Sequence, residues 1–379
     1  MLLEERFSTR SPGSERRVAL VFAVALVALL GCEAEGRVDR AKAAPPSESD
    51  VAEVSAIAQD PSGEAYSEER VACRDRDPNR KVHWGELHIH SKLSMDAYSW
   101  NVRGGPDDVY RFAKGEEIGL APLGPDGKGL RKVQLERPLD FAALTDHASF
   151  QGEVALCTQP NSPKYESPGC KIYRGEVKAG DPRRGNFVNR MSGIAYSFDA
   201  RNETPGRNPK LCGPGAEVCK EAMAKVWEEQ QAAADRHYDR SEACSFTTFN
   251  AYEYTATPGM SKVHHNVIFR NNQVPASPIA WVDHPDVYDL WKQLKQQCID
   301  PAKGCDVLTL PHNSNLSNGR MFVVTGKDLP VQEQRERAQL RADLEPLVEI
   351  SQIKGDSECR NNMYNVVGAQ DEFCNFEEW

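Results

Sequence analysis

The chain has 379 residues, 40% of them hydrophobic, and a formal net charge of −10. That length and apolar content allow a large buried core, in one big domain or two ordinary ones. The negative balance, with no run of lysine and arginine interleaved with aromatics, argues against nucleic acid as a partner, since that binding depends on neutralising phosphates. In chain order, Arg16 and Arg17 precede an unbroken apolar run from Val18 to Leu30, followed by Gly31 and Cys32. The run is shorter than the roughly 20 residues a membrane-spanning helix needs. Basic residues, a short apolar stretch and a small residue read as a secretory signal peptide over residues 1–32.

The ending Leu29-Leu30-Gly31-Cys32 resembles the bacterial lipobox, in which the cysteine is lipidated and becomes the mature N-terminus. An ordinary signal peptide that happens to contain a cysteine is the alternative. The lipobox reading places the protein in the bacterial cell envelope, tied to the membrane by lipid on Cys32 and facing the periplasm, at the outer rather than the inner membrane. Residues 33–80 are rich in Ala, Glu, Ser, Pro and Asp. Stretches such as "AKAAPPSESD" and "AQDPSGEAYSEER" cannot bury enough surface to fold, which predicts a disordered acidic tether.

Of the eleven cysteines, ten remain if Cys32 carries lipid, and an even number in an exported chain favours disulfides. Spacing suggests the local pairs Cys157–Cys170, Cys212–Cys219, Cys298–Cys305 and Cys359–Cys374, leaving Cys73 and Cys244 for a long-range bond. No C-x2-C spacing occurs, which disfavours a cysteine zinc cluster.

From Lys81 onward apolar β-rich runs alternate with helical ones. "KVHWGELHIH" reads as a strand, and "PDDVYRFAKGEE" as a helix with Pro106 at its start and Asp107 and Asp108 in its first turn. "PLDFAALTDHA", "SFTTFNAYEYTAT" and "KVHHNVIFRN" read as strands, and "HPDVYDLWKQLKQQC" as a helix. "CDVLTLPHNSN" is a strand, "PVQEQRERAQLRADLEP" a helix and "LVEISQIKG" a final strand. Residues 157–215, full of Pro, Gly, Asn and Arg, read as a loop-rich insertion, and the helical "CKEAMAKVWEEQQAAADRHY" leads back to the sheet. Alternation of this kind predicts an α/β fold with a parallel sheet and crossover helices.

Metal-ligand residue types sit at the ends of these runs. In "HWGELHIHSKLSMDAYSW" (residues 83–100), His88 and His90 alternate and would share one face of a strand, with Leu87 and Ile89 pointing to the core. Asp96 follows six residues after His90. Asp146 and His147 end the next strand, Glu253 lies late in another, and His312 follows "VLTLP". A single histidine at a strand end is usually a hydrogen-bonded surface group, and Asp146 also suits a helix cap. Repetition at the same place on successive strands is what points to a site, because barrel enzymes build theirs at the C-terminal strand ends. Asp235 and His237 diverge on a helix, and His284 before Pro285 reads as local structure.

Together "GELHIHSKLSMDAY", "RPLDFAALTDHA", "AYEYT", "HHNVIFR", "LPHNSN" and "VEISQIKGDSE" resemble a bacterial family of unassigned function related to the PHP (polymerase and histidinol phosphatase) metal-dependent hydrolases. The resemblance runs from about residue 82 to the end of the chain. It implies a distorted (β/α)7 barrel over residues 81–379 that holds two or three zinc, manganese or iron ions. By position it makes His88, His90 and His147 ligands, Glu253 a bridging acid and His312 a later ligand. Asp96 falls where such enzymes often place a further histidine. His264 is a ligand in this reading, unless its role is exchanged with that of His265.

PHP enzymes close their site with a late Asp-x-His, and this chain has no histidine after His312. One expectation is therefore a C-terminally incomplete barrel, with weak metal binding, little turnover and a tendency to associate. The other is that Glu349 or Glu358 takes the missing place. His and carboxylate ligands without sulfur suit zinc, manganese or iron, which activate water by lowering its pKa toward about 7. Asp146 is the expected catalytic acid or base, orienting a ligand or shuttling a proton. Asn313, Asn315 and Arg320 are oxygen-binding groups for a small-molecule substrate, or else members of an Asn-rich turn. The function expected is phosphoester hydrolysis. Hydrolysis of C–N or other ester bonds, and a lipid-anchored binding protein with a degenerate metal site, are the alternatives.

Overall fold

A computed structural model describes residues 70–75, 81–178, 181, 187–195, 206–301, 304–314, 316–323, 326–352 and 355–356. The signal peptide, Cys32, most of the tether, Asn315, Glu358, Cys359 and Cys374 lie outside the described residues.

The strand β1 (Gly85–Ile89) pairs in parallel with β4 (Phe141–Leu144), and β4 pairs in parallel with β5 (Thr247–Phe249). After Asn250 the chain continues as β6 (Ala251–Ala256), which pairs antiparallel with β7 (Val263–Phe269). β7 in turn pairs antiparallel with β8 (Val307–Pro311). A parallel bridge joins His147 to Glu253 in the same register that pairs Phe141 with Thr247, both partners having advanced by six residues. Hence β5 and β6 act as one interrupted strand along β4 and its extension, and they link a parallel half to an antiparallel half.

The fold is mixed α/β, and among the described residues the strands do not close into a barrel. The expectation of a purely parallel sheet is corrected at β6–β7. Only residues 257–262 separate these strands, whereas a parallel crossover takes a dozen residues or more. A two-stranded hairpin, β2 (Ile118–Leu123) with β3 (Gly129–Val133), lies apart. Sequence reading assigned nothing there, although the Asp126–Gly127 pair, with Gly127 at φ 76°, is a hairpin turn signal. The last expected strand shrinks to β9 (Ser351–Gln352), paired antiparallel with β10 (Gly355–Asp356).

Helices cover the sheet. They are α1 (Met95–Ser99), α2 (Pro106–Ala113), α3 (Gln151–Thr158), α4 (Pro168–Arg174), α5 (Phe187–Met191), α6 (Pro209–Cys212), α7 (Glu217–His237), α8 (Val287–Leu294) and α9 (Val331–Leu344). The helix expected from "HPDVYDLWKQLKQQC" is α8, which runs on into a π-turn over Lys295–Ile299. Every residue of β6 and β7 is buried. On the core face Tyr252, Tyr254, Val267 and Phe269 pack with Trp227 of α7, Trp281, and Leu290, Trp291 and Leu294 of α8. A second cluster joins Met95 of α1 to the insertion through Phe150, Val154, Tyr173, Met191 and Ile194.

Four disulfides match the pairs read from spacing: Cys73–Cys244, Cys157–Cys170, Cys212–Cys219 and Cys298–Cys305. Residues 70–75, at the end of the expected tether, lie along 240–244, where the Val71 and Arg74 amides donate to the Arg240 and Glu242 carbonyls. No helix of the described residues is long and apolar enough to cross a membrane.

Candidate metal centre

The histidines and acids meet at one end of the sheet. β1 and β4 deliver His88, His90 and His147 at or just beyond their C-terminal ends, and β8 delivers His312 just beyond its own. β7 runs the opposite way, so its second residue, His264, arrives at the same end. Thr255 pairs with His264, and the His312 amide donates to the His264 carbonyl at 3.1 Å. In β1 the register shifts by one residue between Glu86 and Ile89. Such a bulge re-aims side chains, and here the His88 and His90 ring centroids lie 5.1 Å apart while Leu87 and Ile89 join apolar clusters.

Glu253 is the hub. Its carboxylate is fully buried, and neither oxygen has a well-aligned hydrogen-bond donor among the described residues. Imidazoles face it instead. His88 Nε2, His90 Nε2 and His147 Nδ1 lie 3.4, 3.2 and 3.3 Å from Oε2, and His264 Nδ1 abuts Oε1. Asp96 Oδ2 lies 3.2 Å from His147 Nε2 at the more exposed edge. The His312 ring is 4.7 Å from that of His264 and stacks at 5.6 Å on that of His88. His312 Nδ1 donates to the Asn313 carbonyl at 2.8 Å, which leaves Nε2 as the basic nitrogen.

Three sets of ligand atoms lie within 4.8 Å of one another: His88/His90/Glu253, His90/Asp96/His147 and His147/Glu253/His264. A buried carboxylate without aligned donors, among imidazoles and with no sulfur, fits divalent zinc, manganese or iron. A fourth such grouping, Glu153/Cys212/Cys219, is not a comparable site, because its two cysteines are bonded to each other.

The charges are strongly coupled. Burial alone would raise the Glu253 carboxyl, but the facing imidazoles, His147 above all, hold it well below the usual range. Burial disfavours the His88 cation, yet Glu253 and Glu349 raise its pKa to about 9. Against the same burial, Glu253 and Asp96 raise His147 to about 10. His264 is pushed well below its ordinary value by burial, which Glu253 only partly offsets. Asp96 is lowered despite desolvation, chiefly by His147.

Other expected residues sit around this hub. Asp146 is fully buried and accepts from the Ser91 amide and hydroxyl, both at 2.6 Å, and from Gln230 Nε2 at 2.8 Å. Its carboxylate thus ties the loop after β1 to α7. Burial raises its pKa. The Asn313 amide donates to Glu349 Oε2 at 3.1 Å, and Asn313 Oδ1 accepts from Gln352. Arg320 is exposed and donates to the Pro258 carbonyl on the β6–β7 turn. His265, on the opposite face of β7, packs among Tyr254 and Trp291 with Glu345 at 3.4 Å, so the hairpin register assigns the site to His264. His237 pairs with Asp107 and His284 with Asp289, away from the cluster.

Sequence reading missed two supporting hydroxyls, Ser94 and Thr255. Ser94 Oγ lies 2.8 Å from His90 Nδ1 and accepts from the His147 amide, and Thr255 Oγ1 lies 2.7 Å from His147 Nδ1. Thr255 was legible in principle, since it lies two residues from Glu253 on the same strand face.

Residues 77–379 match a family described as "Protein of unknown function (DUF3604)". The chain belongs to the DUF3604 family. No curated protein and no solved structure matches it. The matched span takes in every described member of the DUF3604 histidine–carboxylate cluster, from His88 to Glu349.

Proposed function

We propose that this DUF3604 protein is an exported, metal-dependent hydrolase of phosphoesters, related to the PHP hydrolases. The observation that carries the reading is the buried Glu253 carboxylate faced by four imidazoles from β1, β4 and β7. His88, His90, His147, Glu253, His264 and Asp96 would hold two or three divalent ions, with His312 beside them. Such ions supply Lewis-acid polarisation of a phosphoryl oxygen and a water acidic enough to react near neutral pH.

The chain's own groups do the rest. Glu253 balances the positive charge of the cluster from a site closed to solvent. Asp96, whose side chain is 39% exposed, is held ionised beside His147. Ser94, Thr255 and Glu349 fix imidazole orientations through the nitrogens that face away from the hub or flank it. Arg320 and Asn313 follow His312 in sequence and are assigned to substrate oxygens. Asp146 holds the loop between β1 and α1.

Four disulfides favour an oxidising compartment, which supports export. Lipid on Cys32, a periplasm-facing position and outer-membrane residence belong to the same proposal.

The test is metal analysis of protein purified without chelator, followed by phosphomonoesters, phosphodiesters and amides assayed with added manganese or zinc. Phosphoester turnover that is lost on chelation and in His88→Ala/His90→Ala is expected. Protein that stays metal-free after incubation with both metals would sink the hydrolase reading. Turnover of amides alone would move the chemistry to C–N bonds.

A further inference from the structure

Asp96 reaches the cluster from an unusual support. Its helix, α1, has only five residues, and a single turn is not stable without outside help. Ser94 stands at the N-cap position, yet its side chain makes no cap hydrogen bond, because Oγ is engaged with His90 and His147. Loss of such a cap weakens a helix start. The other end stops within one turn, at Asn101 in the left-handed region.

What holds α1 is the insertion. Tyr173 of α4 donates its hydroxyl to the Met95 carbonyl at 2.8 Å, next in sequence to Asp96. Arg190 of α5 donates from Nη1 to the Ser99 carbonyl at 2.7 Å and from Nε to the Tyr173 carbonyl at 2.6 Å. One buried guanidinium thus ties α4 and α5 to the C-terminal end of α1. Tyr98 stacks on Tyr173 at 5.5 Å, and Met95 is buried in the same cluster. Two disulfides staple this block: Cys157–Cys170 joins α3 to α4, and Cys212–Cys219 joins α6 to α7. No described residue of the block belongs to any of the three histidine–carboxylate groupings.

We infer that the disulfide-stapled insertion is the device that positions Asp96, with Tyr173 and Arg190 as its positioning residues. The ion position bounded by His90, Asp96 and His147 therefore depends on groups that touch no metal. The positions built on Glu253 do not, because they draw on the sheet. The inference rests on the proposed metal centre.

The experiment compares the full chain with Tyr173→Phe, Tyr173→Phe/Arg190→Gln and Asp96→Asn. Zinc stoichiometry and affinity are measured by titration against a chromogenic chelator, and amide hydrogen exchange is followed across residues 94–100 without metal. Tyr173→Phe removes one oxygen and keeps the ring packing, so it guards against a variant that fails to fold. Asp96→Asn removes a ligand and should weaken one zinc by at least the roughly 10- to 100-fold that loss of a supporting partner costs. The double variant should reproduce that loss, leave the remaining zinc unchanged and speed exchange in α1. Tyr173→Phe alone should shift the same way by less.

Wild-type zinc binding with a double variant that matches wild type would overturn the inference. So would exchange in α1 that does not accelerate. If the wild-type chain binds no zinc, the metal centre itself falls, and faster exchange in α1 would still separate that failure from failure of the positioning contacts.

Discussion

Glu349 Oε1 lies 2.9 Å from His88 Nδ1, while His88 Nε2 faces Glu253 at 3.4 Å. The ring is held between an outer and an inner carboxylate, the arrangement that fixes the tautomer of a metal-binding histidine and raises its basicity. Glu349 is itself held by the Asn313 amide and by Gln352 Nε2, each at 3.1 Å. Glu349→Gln should therefore weaken zinc binding by about 10- to 100-fold. A chelator-competition titration checks this, and wild-type affinity in Glu349→Gln would show that the outer carboxylate does not tune the site.

Proton release gives a second test. Without metal, His88 and His147 titrate at about 9 and about 10, so both carry a proton at neutral pH that a metal must displace. Loading at pH 7 should release protons, and affinity should rise by about tenfold per pH unit for each proton displaced. The metal-free stability has the opposite sign. Raised histidine pKa values contribute stability that is complete below about 6.5 and lost as pH rises through about 9 to 10. The metal-free thermal midpoint should fall over that range, and the metal-bound one should not. Calorimetry in buffers of different ionisation enthalpy measures the release, and zero protons at pH 7 would contradict it.

Much of this site was legible because period-2 alternation and strand ends are local signals. His88, His90 and His147 needed only to be read as strand termini. His264 and His265 are neighbours, and choosing between them requires the β6–β7 register, which a sequence does not print. Glu349 was open between two expectations because it lies in an irregular stretch after α9, where no periodicity fixes direction. The expectation of parallel pairing throughout overreached for a similar reason. Alternating strands and helices suggest parallel pairing, but a six-residue connection between β6 and β7 forces the opposite. Asp146 adjoins His147 in sequence, but its carboxylate accepts from Ser91 and Gln230, contacts across the fold that no local pattern announces.

The disulfides differ in what they constrain. Cys73–Cys244 closes a separation of 171 residues and Cys298–Cys305 one of 7. On the loop-entropy estimate these are worth about 5 and about 2 kcal/mol. Replacing both cysteines of the long-range pair by serine should therefore lower the denaturant midpoint about twice as much as doing so in the short pair. Peptide mapping without reductant should recover all four bonds seen here. Equal destabilisation by the two double variants would mean that native strain or residual denatured structure, rather than loop closure, sets their value.

The hub itself admits the sharpest comparison. Glu253 belongs to two of the three ligand groupings and His264 to one. Glu253→Gln keeps the shape and removes the charge, so it should leave at most the His90/Asp96/His147 position able to bind, whereas His264→Ala should leave two. The proton behaviour should change with it. Glu253 is a main partner raising His88 and His147 against the burial that disfavours their cations. Without that charge both imidazoles should titrate well below their wild-type values, so the alkaline loss of stability in the metal-free protein should shrink and metal loading at pH 7 should release fewer protons. Imidazole resonances followed by NMR across pH 5 to 11 would report this directly. Unchanged histidine titrations in Glu253→Gln would mean that the buried carboxylate is not the counter-charge that holds the cluster together.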